Sequence, residues 1–270
     1  MQKQAGWGRF ASMKPSFLDH VRSGKPQLCI ILGMVLLFVS QAFCGEWRVI
    51  PIRLDFDQRT RSGVITVTND GEQKISFDIS ALAWTQDAEG KDQYAATDEV
   101  IFFPKLLTIG AHEERVIRVG IKAPAILQEK TYRLFIREQA APQDAKGSTV
   151  AIAIQFAVPI FSAPAKTIAE GKIVDKGIVN GLATILLKNT GNVHFRVTDV
   201  ALSGKDVSGD ELFSKDLPGW YLLPGTSHSY AAPIPKQDCE RLRNLDILLT
   251  TDKFQLTDRI DVDSAMCTAN

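Results

Sequence analysis

Hydrophobic and polar residues alternate with period two along most of this chain, and apolar stripes of helical period are nearly absent. The longest alternating run is Ser148–Phe161, STVAIAIQFAVPIF. Val150, Ile152, Ile154, Phe156 and Val158 fall on one face of an extended strand; Ala151, Ala153, Gln155 and Ala157 fall on the other. A polar loop, Gln139–Ser148, precedes it. Such a strand either packs its large residues on its own core or lends them, with its backbone, to another protein's sheet. Six further segments read as strands ended by Asn, Asp, Gly or Pro: Arg48–Phe56, Gly63–Asn69, Ile75–Trp84, Val100–Phe103, Arg115–Ile121 and Tyr132–Glu138. Seven closely spaced strands predict an antiparallel sandwich.

The pattern then repeats. Val64–Gly71, an apolar strand running into Asn69-x-Gly71, is echoed by Ala183–Gly191 with Asn189-x-Gly191. Leu106–Gly110 is echoed by Tyr221–Gly225. Two landmarks at nearly one offset predict two sandwiches in tandem, with Asn and Gly supplying tight turns. The boundary is expected after the long strand, near Ser162–Ala165, where Pro164 interrupts pairing. This places one domain at 45–164 and a second at 165–270.

Targeting changes the picture of the first 44 residues. Lys3, Arg9, Lys14, Arg22 and Lys25 precede an apolar run, Leu28–Ser40, which is shorter than a membrane-spanning helix requires. Small residues follow, ending at Cys44-Gly45. This is the layout of a cleaved secretory signal peptide over residues 1–44, rather than of a retained anchor. The whole chain has 31 basic and 31 acidic residues; losing 1–44 removes five and one of them and leaves a net charge of −4. That charge suggests neither nucleic acid nor another polyanion as partner. Of four cysteines, Cys239 and Cys267 survive processing. In an oxidising compartment the two pair most simply with each other, since no second pair of metal ligands lies nearby.

Candidate chemistry is sparse. His112, His194 and His228 are scattered without metal-ligand spacing, and no nucleophile elbow, phosphate loop or nucleotide fingerprint is present. The chain reads as a non-enzyme, with no catalytic residue, metal or cofactor expected. Arginines within strands are more telling. Arg53 lies in Pro51-Ile-Arg-Leu, and Arg133, Phe135 and Arg137 share one parity, leaving Leu134 and Ile136 for the core. These are either surface arginines or a basic pocket whose planar forks grip a carboxylate.

The combination of Pro51-Ile-Arg53, Val67-Thr-Asn69, Trp84, Leu107-x-x-Gly110, Val116-Ile-Arg118, Tyr132–Glu138 and the alternating Val150/Ile152/Ile154 ending in Pro164 resembles the periplasmic chaperones of the chaperone–usher pathway. Trp84 and Asp92-Gln-Tyr94 look closer to the archaic branch. The resemblance covers most of the chain after residue 44 and is clearest through residue 164. It implies an all-β fold of two Ig-like domains at an angle and a periplasmic location. It also implies pilus subunits and an outer-membrane usher as partners, and no stable membrane insertion. It makes Val150, Ile152, Ile154 and Phe156 the donor strand that completes a subunit lacking its last strand. Arg53 matches the first anchor of the subunit's terminal carboxylate. The second anchor, a donor-strand lysine in the P-pilus branch, falls at Pro159 here, so Arg133 is the candidate substitute, with Lys105 and Arg137 behind it. The competing readings are a structural pilus subunit or Ig-like adhesin, and a carbohydrate-binding sandwich. The last predicts clustered exposed aromatics, whereas Trp47, Trp84 and Trp220 are spread singly.

Overall fold

The structure, a computed structural model, describes residues 47–139 and 153–268. Strands dominate these residues, and two pairs of facing sheets divide them. The expected signal peptide and the donor positions Val150 and Ile152 lie outside the described residues. No described helix is long and apolar enough to cross a membrane.

The first sandwich is built from residues 47–139 and 153–162. One sheet has the order β1 (Trp47–Ile50), β3 (Ser62–Asn69), β8 (Glu114–Ile121), β6 (Val100–Phe103). The other runs β2 (Leu54–Phe56), β10 (Gln155–Ser162), β9 (Lys130–Glu138), β4 (Ile75–Gln86), β5 (Asp92–Ala96), with β7 (Leu106–Ile109) also on β4. Inward residues alternate as period two demands: Ile65 and Val67, Phe77 and Ile79, Ile117 and Val119, Leu134 and Ile136 are all buried. They form one core with Trp47 and Val158.

The expected strand Arg48–Phe56 is a correction. It is two strands in opposite sheets, since β1 pairs antiparallel with β3 and β2 pairs parallel with β10. Pro51 has no N–H to continue a ladder, so the chain crosses between sheets at Pro51–Arg53. Arg53 therefore sits in a crossover and not inside a strand. Alternation did not flag β5, which is largely exposed, or β7, which is only four residues long.

The second sandwich pairs β11 (Gly171–Val179), β12 (Leu182–Asn189) and β16 (Ser227–Pro233) against β14 (Glu211–Pro218), β13 (Phe195–Lys205), β17 (Asn244–Thr251) and β18 (Gln255–Asp261), with β15 (Tyr221–Leu222) on β13. Ile185, Leu187, Phe195, Val200 and Leu249 lie at its centre. Cys239, ending the one-turn helix α1 (Lys236–Cys239), is bonded to Cys267 across 28 residues, so the C-terminal segment is stapled to this core as the cysteine count predicts.

The internal repeat is real, and its cause differs from the expected one. Neither Asn69 nor Asn189 has a positive φ. Each is fully buried at the end of its strand. Asn69 Oδ1 accepts from Gly71 N (3.0 Å) while Nδ2 donates to the carbonyls of Gln73 and Gly110. Asn189 does the same with Gly191 N (2.9 Å), Val193 O and Leu222 O. A buried amide that satisfies three backbone groups fixes the turn in both sandwiches.

Candidate functional site

The two sandwiches meet along the outer face of β4, β9 and β10. Trp84, Phe161 and Leu223 form a small buried cluster there, with Tyr221 packed against it. Gln86, near the end of β4, uses its whole amide. Oε1 accepts from Leu223 N and Thr226 Oγ1 (both 3.0 Å), and Nε2 donates to Tyr221 O (2.9 Å) and Asp92 Oδ1 (3.2 Å). On the other flank His194 lies flat on Phe161, with centroids 3.5 Å apart. Its Nδ1 is 2.7 Å from Glu129 Oε2, which also accepts from His194 N at 2.8 Å. Gln86 was not flagged by sequence and His194 was noted only as a scattered histidine, because no local pattern marks a residue whose partner lies more than 60 positions away.

Arg133 and Arg53 both border this junction. Arg133 lies on the outer face of β9, as its parity requires, yet it is only 6% exposed. Its guanidinium stacks 3.9 Å above the Trp84 ring and 5.7 and 5.9 Å from the rings of Trp220 and Tyr221. Nη1 donates to Ala157 O of β10 (3.0 Å), while Nε and Nη2 are buried without a hydrogen-bond partner. Arg53 is more open. Its Nε donates to Asp55 (2.8 Å), and its Cζ is 6.0 Å from the centre of Phe161. Partial burial works against its charge, but the bond to Asp55, the Asp55 charge and the nearby Tyr221 together outweigh it, and its pKa lies above the usual arginine value. Arg137 is exposed, four residues and about 13 Å further along β9, bonded to Gln155. Lys105 is exposed in the link between β6 and β7.

Trp84 and Trp220, spread singly in the sequence, are thus brought together around one guanidinium. They do not make an exposed platform, since Trp84 is fully buried. Among the described residues no group of His, Cys, Asp and Glu could hold a metal ion.

Burial falls steadily along β10 towards its start. Val158 and Ile160 are buried in the first core, whereas Ile154 and Phe156, on the same parity, are only partly covered. Phe156 packs edge-on against Trp47 at 4.7 Å. One side of β10 pairs with β9 throughout Gln155–Ser162. On the other side β2 covers only Ile160, Phe161 and Ser162. The backbone edge of Gln155–Pro159 has no described strand beside it. The self-core reading holds for Val158, whereas Phe156 and Ile154 pack against that core only in part.

Comparison with known proteins gives the fold a family context. Residues 48–167 match the family model described as pili and flagellar-assembly chaperone, PapD N-terminal domain. No curated protein matches the chain. Three solved structures share the fold. The archaic chaperone–usher CsuC–CsuE pre-assembly complex of Acinetobacter baumannii gives a TM-score of 0.51 at 18% identity, covering 70% of this chain and 91% of that one. The class 5 fimbriae chaperone CfaA gives 0.52 at 16% identity, covering 79% and 98%. The Salmonella enterica SafA pilin complex with the SafB chaperone gives 0.52 at 13% identity, covering 80% and 97%. The tandem Ig-like sandwiches and the matched segment agree with one another: residues 48–167 match the PapD N-terminal domain model, and the described residues share the fold of these solved chaperone structures.

Proposed function

We propose that this protein is a periplasmic chaperone that captures pilus subunits by lending them the start of β10 and delivers them to an outer-membrane usher. The observation that carries this reading is the loss of cover along β10, on the face and on the backbone edge together. A subunit lacking a strand needs both, apolar side chains for its groove and a ladder for its unpaired backbone. Each large donor side chain that becomes buried contributes about 1.5–3 kcal/mol. Each ladder bond adds about 1 kcal/mol. Val150 and Ile152 continue the sequence parity of Ile154 and Phe156 and complete the donor set.

Arg53 and Arg133 anchor the subunit's terminal carboxylate. Pro159 stands where a donor-strand lysine would serve, and the β-register sets it opposite Arg133, which offers a charge at the same level of the sheet. Anchoring fixes register, and a slip of one residue would turn every donor side chain away from the groove. In this reading residues 1–44 are removed on export and the domains divide near residue 164. The chain acts by binding and exchange of strands, without catalysis. Changing Ile152 and Ile154 together to Asp is expected to abolish co-purification with a co-expressed subunit while the far-UV circular dichroism stays unchanged. Undiminished co-purification from a folded variant would sink the donor assignment.

A further inference from the structure

Five of the six buried polar atoms without a partner among the described residues belong to Trp84, Arg133, Ser162 and His194, at or beside the junction of the sandwiches. Arg133 contributes two of them, Nε and Nη2. This is the edge of a guanidinium that takes a carboxylate with two parallel hydrogen bonds. It is not open to solvent, because the Arg133 side chain is 7% exposed. The nearest acid is Asp92 of β5, whose Oδ2 lies 3.7 Å from Nη2, close enough to balance the charge and too far for a hydrogen bond.

Asp92 is held there from three sides. Gln86 Nε2 donates to Oδ1 at 3.2 Å, Tyr94 Oη to Oδ2 at 3.2 Å, and the Trp220 indole N–H to Oδ2 at 3.4 Å. The Trp220 bond crosses from the second sandwich to the first. All three bonds are long, and Asp92 leaves the arginine fork short of its two acceptors. A carboxylate able to approach to ordinary bonding distance would satisfy donors that Asp92 does not.

We propose that Asp92 and Trp220 form a latch over Arg133 in the subunit-free chaperone, so that a terminal carboxylate reaches the fork only by displacing Asp92. This rests on the reading of Arg133 as a carboxylate anchor. Arg53, with its side chain 40% exposed, receives the carboxylate first, and the Arg133 fork closes on it once the latch opens. The latch sets specificity as well. A neutral chain end cannot replace the charge of Asp92 beside Arg133, so only a free carboxylate gains the fork. Asp92 is a positioning residue in this scheme and does not touch the subunit.

The test is an acetate titration of the purified protein, read from the NMR signal of the Arg133 Nε–H and assigned with Arg133→Lys. Asp92→Asn and Trp220→Phe each remove one side of the latch. Each is expected to lower the acetate concentration at half-shift about fivefold, the value of a weak ion pair. Acetamide is expected to leave the signal in place. Trp220 is 48% exposed, so Trp220→Phe keeps the test available if Asp92→Asn fails to fold. An unchanged or raised half-shift concentration in folded variants would overturn the latch while leaving Arg133 as the anchor. An acetamide shift equal to that of acetate would overturn it also. A signal that acetate never moves, in the parent or in either variant, would remove Arg133 from the anchor and the latch with it.

Discussion

Replacing Gln86 with Ala measures how firmly the two sandwiches are joined. The side-chain amide makes four hydrogen bonds, three of them to Tyr221, Leu223 and Thr226 of the second sandwich. A neutral hydrogen bond contributes about 1 kcal/mol net, and a buried N–H left without its acceptor costs about 1–3 kcal/mol. Leu223 is 3% exposed, so its N–H has little access to water once Gln86 Oε1 is gone. Thr226 Oγ1 keeps a bond to Leu223 O at 2.8 Å, which spares part of the loss. The expected destabilisation is about 3 kcal/mol, or roughly 6–12 °C in Tm for a protein of this size. Urea denaturation followed by tryptophan fluorescence reads it, because Trp84 and Trp220 both lie at the junction. A broadened or split transition would show the domains unfolding separately. A loss below about 1 kcal/mol with one sharp transition would refute the account, since it would mean that Gln86 decorates the junction rather than holding it.

Further expectations concern the second core, the first sandwich's acid sensitivity and the carboxylate anchor. Changing both Cys239 and Cys267 to Ser opens a closed loop of 28 residues and is expected to cost about 3.5 kcal/mol by chain entropy, read as a lower urea midpoint; an unchanged midpoint would deny the staple its role. Glu99 accepts from Lys130 Nζ and from Tyr132 Oη (2.7 Å), and the Lys130 bond followed by the Tyr132 bond holds its pKa below the usual glutamate value. A depressed carboxylate stabilises the fold above its unfolded pKa and loses that contribution as pH falls through the folded value. Glu99→Gln should therefore be less stable than the parent at neutral pH, with the gap closing on acidification; a gap that widens towards low pH would contradict the assignment. Arg53→Ala is expected to weaken capture of a co-expressed subunit in a pull-down, and unchanged capture would remove Arg53 from the anchor.

The legible part of this protein is what side-chain parity can carry. Leu134 and Ile136 were placed on the core face by the parity of their strand alone, and they are buried. The Asn-x-Gly echo marked the repeat correctly, though its cause is a buried amide rather than a left-handed turn. Strand Arg48–Phe56 was misjudged because alternation is blind to which sheet a strand joins. Pro51 carried the warning: a residue without an N–H inside an apolar run argues against an uninterrupted ladder.

The chain order alone determined an all-β tandem, the open-ended alternation of β10 and the pairing of Cys239 with Cys267. These depend on neighbours in sequence, or on a count of two. Tertiary structure alone decided that Arg133 is buried against Trp84, Trp220 and Asp92, and that His194 pairs with Glu129 across the junction. Residues 84, 133 and 220 meet only after β4 and β9 have registered and the second sandwich has docked on them. The environment of a charge is set by what covers it, and no periodicity along one strand encodes the cover supplied by another domain.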